Sequence, residues 1–293
     1  MKHVPSTAGV ALLLTMGLLP LQAEILYESD WATGNIYKFT SDGVRSTFAS
    51  GLNAPEGLAF DGAGNLYVGN AGASQIVKIT PDGTKSVFAG GFLNPFGLAF
   101  NSTGDLFVST DNGNIYQVAP DGSVSTFASG FNQPHGIAFD STGNLFVADA
   151  GHYQIVKVAP NGQKGAFASS LFNDPKGLVF NRLDELFMSN YGGITKYEPN
   201  GTSSPVSSAA ALGLGMTFDH SGNLFVADFS SNKIFEISSD GSATTFSSDV
   251  SQPFGLAFVV PEPAVSSVAA MLGVLYFTIA KRSHGARQRQ CQT

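Results

Sequence analysis

One phrase recurs at a nearly constant interval through most of the 293 residues. Its clearest copy is Pro134–Asp149, which reads PHGIAFDSTGNLFVAD. The glycine of this phrase recurs at intervals of 40, 39, 41, 38 and 40 residues, as Gly57, Gly97, Gly136, Gly177, Gly215 and Gly255. A fixed interval of this length is typical of solenoids, propellers and related arrays. The repeat therefore constrains the fold more than any other feature of the sequence.

Each repeat divides into four short segments of strand-like sequence. In the clearest copy they are Gly136–Phe139, Asn144–Ala148, Gln154–Val158 and Gly165–Ala168, each β-rich or alternating over four to five residues. The connections are rich in Gly, Asn and Asp, which close tight hairpins. Helical periodicity is absent between the strands, which disfavours a parallel βαβ fold. Four short antiparallel strands about every 40 residues predict a propeller blade.

The number of blades follows from the length of the repeating region. Residues 24–260 correspond to six repeats, but the chain enters the first unit partway through it. The last segment, Pro253–Phe258, opens a unit that is never completed. If it pairs with the three N-terminal strands, no open sheet edge remains. We predict an all-β, six-bladed propeller with one-plus-three closure, and an irregular outer strand in the Ser/Ala-rich stretch Ser203–Ala211.

The two ends of the chain differ from the repeats. Residues 1–23 carry one basic side chain, Lys2, then the apolar run Ala8–Leu19 and a small-residue cleavage site at Ala23. This pattern predicts a signal peptide, although an uncleaved first transmembrane helix is an alternative. The single cysteine, Cys291, excludes an intramolecular disulfide.

Residues 261–293 combine three features in a fixed order. A Pro-Glu-Pro motif is followed by the uncharged stretch Ala264–Ala280, which is just long enough to cross a bilayer as a helix. A basic cluster then favours a cytoplasmic C-terminus. The residues of the motif and the cluster are Pro261, Glu262, Pro263, Lys281, Arg282, Arg287 and Arg289. The arrangement resembles the PEP-CTERM sorting signal, although a plain C-terminal anchor would share its last two parts.

That resemblance implies processing by an exosortase-type sorting machinery. The protein would be exported through the inner membrane, held on the periplasmic side by its C-terminal helix, and then delivered to the cell surface or outside the cell. The repeat region carries 10 Lys and Arg against 21 Asp and Glu. Such an acidic surface disfavours nucleic acid and anionic polysaccharide as partners. Cations and neutral glycans are more compatible with it.

The repeats also resemble a known group of propellers. Pro55–Asp61 and Gly64–Val68 read PEGLAFD and GNLYV, which is similar to units of the NHL-repeat and SMP-30/gluconolactonase-like six-bladed propellers. The resemblance covers residues 24–258. It implies the fold rather than the activity, because such folds hold enzymes, binding modules and sensors.

Two sets of residues are predicted to converge around the propeller axis, where binding sites commonly lie. Within each blade, the residue between Pro and Gly and the residue that ends the second strand fall at the same end. The inner set is Glu56, Phe96, His135, Lys176, Leu214 and Phe254; the outer set is Asp30, Asn70, Thr110, Asp149, Asn190 and Asp228. The inner set does not repeat chemically, so blade geometry alone does not dictate it.

Two functions are consistent with these sets. One is a non-enzymatic surface or matrix protein whose propeller binds a glycan, a peptide or a protein. The other is an SMP-30-like metal-dependent lactonase, in which Glu56, Asn70, Asp149 and Asn190 hold Ca²⁺ or another divalent cation. Glu56 is similar to the opening acidic motif of that family. Alternatively, Asp149 and Asp228 bond backbone amides of the following loops. Among the histidines only His135 falls in either set, which disfavours a zinc lyase.

Overall fold

The computed structural model describes residues 24–169, 174–210 and 212–259. The predicted signal peptide and the predicted sorting segment therefore lie outside the described residues. Within these ranges, no helix is long and apolar enough to cross a membrane.

In the described residues, twenty-four strands form six antiparallel sheets of four strands each. Blade 1 is closed as predicted, because the C-terminal strand β24 pairs with β1 in the order β24-β1-β2-β3. The strands of blade 1 are β1 (Leu26–Asp30), β2 (Asn35–Phe39), β3 (Arg45–Ala49) and β24 (Pro253–Phe258). The all-β six-bladed propeller is thus confirmed, and neither end of the chain leaves an unpaired innermost strand.

Blades 2 to 6 each consist of four consecutive strands, from the innermost to the outermost. Blade 2 contains β4 (Pro55–Phe60), β5 (Leu66–Asn70), β6 (Gln75–Ile79) and β7 (Lys85–Gly90). Blade 3 contains β8 (Pro95–Phe100), β9 (Leu106–Thr110), β10 (Asn114–Val118) and β11 (Val124–Ser129). Blade 4 contains β12 (Pro134–Phe139), β13 (Leu145–Asp149), β14 (Gln154–Val158) and β15 (Lys164–Ala168).

Blade 5 contains β16 (Leu178–Phe180), β17 (Leu186–Asn190), β18 (Gly193–Tyr197) and β19 (Ser203–Ser207). Blade 6 contains β20 (Gly213–Phe218), β21 (Leu224–Asp228), β22 (Lys233–Ile237) and β23 (Ala243–Ser247). The expected irregularity of the outer strand in blade 5 is wrong, because β19 pairs with β18 over Ser203–Ser207. Single 3₁₀ turns, Ala71–Ala73 and Ala150–His152, follow β5 and β13.

The core consists of six clusters of buried side chains between neighbouring blades. They are supplied by alternate residues of the second and third strands, such as Leu145 and Val147 in blade 4. Turns such as Asp61–Asn65 close the opposite end of each blade; there Asp61 accepts hydrogen bonds from the Asn65 backbone N–H at 2.8 Å and the Asn65 side chain at 2.8 Å. We call this end the turn face, and the end at which the innermost strands begin the mouth face.

The repeated glycine fixes how closely the innermost strands approach the axis. A Cβ atom on Gly136 would lie 2.6 Å from the carbonyl oxygen of Lys176 in the next blade, and one on Gly97 would lie 2.6 Å from that of His135. A carbon atom does not fit at that distance. The anchor of the sequence repeat is therefore a steric requirement of packing six strands around one axis.

Candidate functional site

Both predicted sets lie on the mouth face. The register shows why: Pro55 pairs with Asn70 in blade 2, and Pro134 pairs with Asp149 in blade 4. The first residue of each innermost strand therefore lies beside the last residue of the second strand. The inner set is nearer the axis and the outer set is at the start of the surrounding loops.

Aromatic side chains of the inner set meet across the axis. The Phe96 ring stacks on the His135 imidazole, with centroids 4.4 Å apart, and contacts Phe254 edge-on at 4.8 Å. Behind them is a small axial cavity of about 70 Å³, lined by the repeated glycines and by apolar side chains such as Leu58 and Met216. Phe96 and Phe254 are part of the lining of this cavity, which is too small for a sugar ring.

Glu56, on the innermost strand of blade 2, is almost completely buried. It is 5% exposed, and its Oε2 atom has no hydrogen-bond partner. Burial raises the pKa of the Glu56 carboxyl to about 8, and the negative charge of Asp111 adds to the shift. At neutral pH the carboxyl is therefore protonated, and it offers both a hydrogen-bond donor and an acceptor.

His135 is held in its neutral form for a related reason. It is 8% exposed, and its Nδ1 atom has no hydrogen-bond partner. Burial and, to a smaller extent, the charge of Lys176 lower the pKa of the imidazole to about 4, while Asp174 opposes the shift. The Lys176 ammonium is itself paired with Asp174 at 2.7 Å. The site thus contains two uncharged polar groups with unused hydrogen-bonding capacity.

The side chains of the outer set form hydrogen bonds to the surrounding loops. Asn70 Oδ1 accepts a hydrogen bond from the Asn53 backbone N–H at 2.7 Å, and Asn190 Oδ1 accepts one from Gly192 at 2.7 Å. The remaining members behave alike: Asp30 accepts from Thr33 and Ser251, Asp149 from Asn132 and Gln154, Asp228 from Ser230 and Ser231, and the Thr110 hydroxyl donates to Asn112. These bonds correspond to the alternative interpretation of Asp149 and Asp228.

The four residues predicted as metal ligands do not fit an ion well. Oxygen atoms of Asn70, Asp149 and Asn190 already accept loop hydrogen bonds. In residues 24–169, 174–210 and 212–259, no group of three or more His, Cys, Asp or Glu side chains is placed to hold a metal ion. The fourth predicted ligand, Glu56, has one oxygen atom without a hydrogen-bond partner.

Serine hydroxyls position the backbone beneath two members of the inner set. Ser29 Oγ donates to the Glu56 carbonyl oxygen at 2.5 Å, and Ser109 Oγ donates to that of His135 at 2.5 Å. A third serine, Ser189, donates to Gly213 at 2.6 Å. The three serines bridge neighbouring blades and lie in blades 1, 3 and 5, respectively. The equivalent residues of blades 2, 4 and 6 are Gly69, Ala148 and Ala227. This alternation is visible in the sequence but was not recognised there.

An aromatic surface around the mouth was not predicted from the sequence. Trp31, Tyr153 and Tyr191 are 40%, 52% and 56% exposed, and each lies in the loop that follows an outer-set residue. Trp31 is connected to the centre through Phe229, whose ring lies 6.1 Å from Trp31 and 6.2 Å from Phe254. Their position one to four residues after the second strand was the signal that could have identified them.

Comparison with known proteins supports the fold assignment. Residues 131–158 match the family model for the NHL repeat. No curated protein matches the sequence. Among solved structures, virginiamycin B lyase from Staphylococcus aureus is similar with a TM-score of 0.61 and 16% identity, over 80% of this chain and 88% of that chain.

Two further structures show the same architecture. A gluconolactonase from Xanthomonas campestris has a TM-score of 0.59 and 17% identity, over 65% of this chain and 74% of that one. A protein of unknown function from Bacteroides caccae has a TM-score of 0.62 and 14% identity, over 81% and 99%. Identities this low show a common fold and do not assign an activity to this chain. The chain is therefore a six-bladed β-propeller, and one of its repeats matches the NHL repeat.

Proposed function

We propose that the protein is an exported surface or matrix protein whose mouth face binds a neutral glycan. The observation that carries this proposal is the presence of two uncharged polar groups with unpartnered atoms, Glu56 and His135, at a mouth where Phe96 stacks on His135 and contacts Phe254. Both atoms are buried in the structure, so sugar hydroxyls use them once side chains at the mouth move aside. The apolar C–H faces of a sugar pack on exposed aromatic side chains such as Trp31.

Charge narrows the class of glycan. The repeat region is acidic, with 10 basic against 21 acidic residues. Bringing an anionic polysaccharide to this surface would cost electrostatic free energy. A charged ligand would also have to lose its hydration water. Protonated Glu56 and neutral His135 carry no opposite charge that would compensate for this cost. Neutral hexose or pentose oligosaccharides match the site better.

Trp31 provides a direct measurement of binding. It is the only tryptophan of the chain and lies on the mouth face. We expect its fluorescence in the full-length protein to change saturably on titration with at least one of cellohexaose, maltohexaose and xylohexaose, and not with oligogalacturonate. Saturable binding of oligogalacturonate without any response to the neutral oligomers would contradict the proposal.

Replacement of Glu56 tests the site itself. Glu56→Ala removes the buried donor and acceptor, and we expect about a tenfold or greater loss of affinity, which corresponds to about 1.4 kcal/mol. Glu56→Gln keeps neutral hydrogen bonding and should bind nearly as the native protein does at pH 7. In the native protein affinity should fall as the pH rises through about 8, because an ionised carboxylate resists removal of water; Glu56→Gln should abolish this dependence. Glu198→Ala on the turn face is the matched control.

A metal-dependent lactonase is the second candidate, supported by the structural similarity to a gluconolactonase and by the free Glu56 oxygen. The hydrogen-bonded state of Asn70, Asp149 and Asn190 argues against it. Hydrolysis of gluconolactone by the native protein with added Ca²⁺ or Zn²⁺, lost in Glu56→Ala, would establish the enzyme and overturn the binding module. The absence of turnover together with saturable glycan binding would support the module.

The export part of the proposal rests on segments outside the described residues. The Pro-Glu-Pro motif, the apolar stretch and the basic cluster of residues 261–293 support membrane attachment followed by sorting. We expect deletion of Pro261–Thr293 to release the propeller as a soluble periplasmic species, whereas the full-length chain fractionates with the membrane before processing. A deletion variant that stays with the membrane would contradict the role of this tail.

A further inference from the structure

Aromatic side chains fill the outer part of five of the six blade interfaces. At each, an aromatic residue of the second strand contacts a Phe of the outermost strand and a Phe that ends the innermost strand of the next blade. In blade 4, the Phe146 ring lies 4.9 Å from Phe167 and 5.0 Å from Phe180, nearly perpendicular to both. The other four complete triads are Tyr27/Phe48/Phe60, Tyr67/Phe88/Phe100, Phe107/Phe127/Phe139 and Phe225/Phe246/Phe258.

The interface between blades 5 and 6 lacks one ring of the triad. Phe187 and Phe218 contact each other at 5.0 Å in the usual way. The outer-strand position is occupied by Val206, which has the same register as Phe167 of blade 4. In blade 5, Pro205 and Ser207 pair with Thr195 and Ile194. In blade 4, Ala166 and Ala168 pair in the same way with Val156 and Ile155. Val206 therefore lacks most of the volume that an aromatic ring supplies at the equivalent position of the other five interfaces.

A cavity of about 520 Å³ opens at this interface on the turn face. Its apolar walls include Phe187, Phe218, Leu224, Ile237 and Val206. At the interface between blades 6 and 1, where the triad Phe225/Phe246/Phe258 is complete, the corresponding cavity is about 100 Å³. The larger cavity is at the other end of the propeller from Glu56 and is thus separate from the proposed glycan site.

The rim of the cavity is polar and acidic on balance. It carries the carboxylates of Glu185, Asp219 and Asp240 and the cations Arg182 and Lys196. Lys196 is already paired with Glu185 at 2.7 Å and with Glu198 at 3.1 Å. Several serine hydroxyls, including Ser204 and Ser238, add hydrogen-bonding groups. An uncharged or cationic substituent is therefore favoured at the rim over an anionic one.

From this geometry we infer that the interface between blades 5 and 6 is a second binding site, for a small aromatic compound with neutral or cationic substituents. The ring takes the position that the outer-strand phenylalanine occupies at the five complete interfaces, edge-on to Phe187. Polar substituents reach the serine hydroxyls and carboxylates of the rim. The five complete interfaces thus indicate that an aromatic ring fits the space beside Val206.

Small probe compounds test the inference on the full-length protein. By ligand-observed NMR, we expect benzyl alcohol and benzylamine to bind, and benzoate and cyclohexylmethanol to bind at least several-fold more weakly. Val206→Phe completes the triad and should reduce benzylamine binding about tenfold or more. Val87→Phe places the same substitution on an exposed position of an outermost strand and should leave binding unchanged.

The inference would be overturned by undiminished benzylamine binding in Val206→Phe, by equal loss in Val87→Phe, or by tighter binding of benzoate than of benzylamine. Glu56→Ala serves as an independent check, because it should leave benzylamine binding unchanged while it weakens glycan binding. Competition between benzylamine and a neutral oligosaccharide would place the aromatic compound at the mouth and also overturn the inference. Failure of the glycan proposal would leave these measurements unaffected.

Discussion

Gly136→Ala is expected to lower the free energy of unfolding by roughly 3–5 kcal/mol. The added Cβ would lie 2.6 Å from the Lys176 carbonyl oxygen and 2.7 Å from the Leu178 backbone nitrogen. Both are backbone atoms of the next blade and cannot rotate away. The Gly136 N–H also donates to the Lys176 carbonyl at 2.8 Å, so separating the strands to make room would break a buried hydrogen bond. Urea denaturation followed by Trp31 fluorescence measures the change.

Gly165→Ala is the matched control for this prediction. No atom lies within 4 Å of a Cβ built on Gly165, which is exposed in the outermost strand β15. Alanine there reduces the conformational freedom of the unfolded chain, so the free energy of unfolding should stay within about 1 kcal/mol of the native value. Equal destabilisation by the two substitutions would show that loss of glycine flexibility, and not the approach of blades, explains the repeat.

Glu28→Val is expected to raise the free energy of unfolding by about 2 kcal/mol at pH 7. Glu28 is completely buried, and neither oxygen has a hydrogen-bond partner. It follows Leu26 on the same face of β1, within an apolar interface that includes Phe225 and Leu256. The equivalent residues of blades 2, 3, 4, 5 and 6 are Val68, Val108, Val147, Met188 and Val226. Valine at this position removes an unsatisfied polar group from the core.

The pH dependence of stability gives this prediction a second measurement. Burial raises the pKa of Glu28 well above its ordinary value of 4.5; Asp30 raises it further and Arg45 opposes the shift. The folded protein thus binds a proton that the unfolded chain releases above pH 4.5, and stability is lost as the pH rises from there towards the folded-state pKa. Glu56, with its pKa raised to about 8, acts in the same direction. Thermal melts from pH 5 to pH 8 should show a smaller decline in Glu28→Val than in the native protein.

The reciprocal substitution tests the same argument in a blade that has no buried carboxyl at this position. Val147→Glu in blade 4 places the carboxyl in the equivalent apolar cluster. We expect it to destabilise the protein and to steepen the decline of the melting temperature with pH. If Glu28→Val were instead destabilising, the carboxyl would have a partner in solution, and the argument from burial would be wrong.

The predictions for the site were less complete than those for the fold. The inner and outer sets could be placed at one end of the propeller, because strand direction and repeat position determine where each residue falls. Burial of Glu56 and His135 depends on the side chains that other blades place around them, such as Phe96, which stacks on His135 and contacts Phe254. A linear pattern cannot show contacts between rings that lie about 40 or more residues apart in the chain. The protonation states of the two groups therefore became evident only in the folded structure.

Sequence periodicity by itself determined the six blades, the four strands in each and the one-plus-three closure, because every blade must satisfy the same backbone hydrogen bonds with the same turns. The repeat also marked Gly136 as a fixed position, although the steric reason for this glycine is seen only in the structure. Tertiary structure alone decided the chemistry of the mouth and the gap at Val206. Both arise where neighbouring blades meet, and the free energy of burying a carboxyl or omitting an aromatic ring depends on what the adjacent blade supplies. The repeat determines the blades, whereas the effect of each departure from the repeat depends on contacts between neighbouring blades.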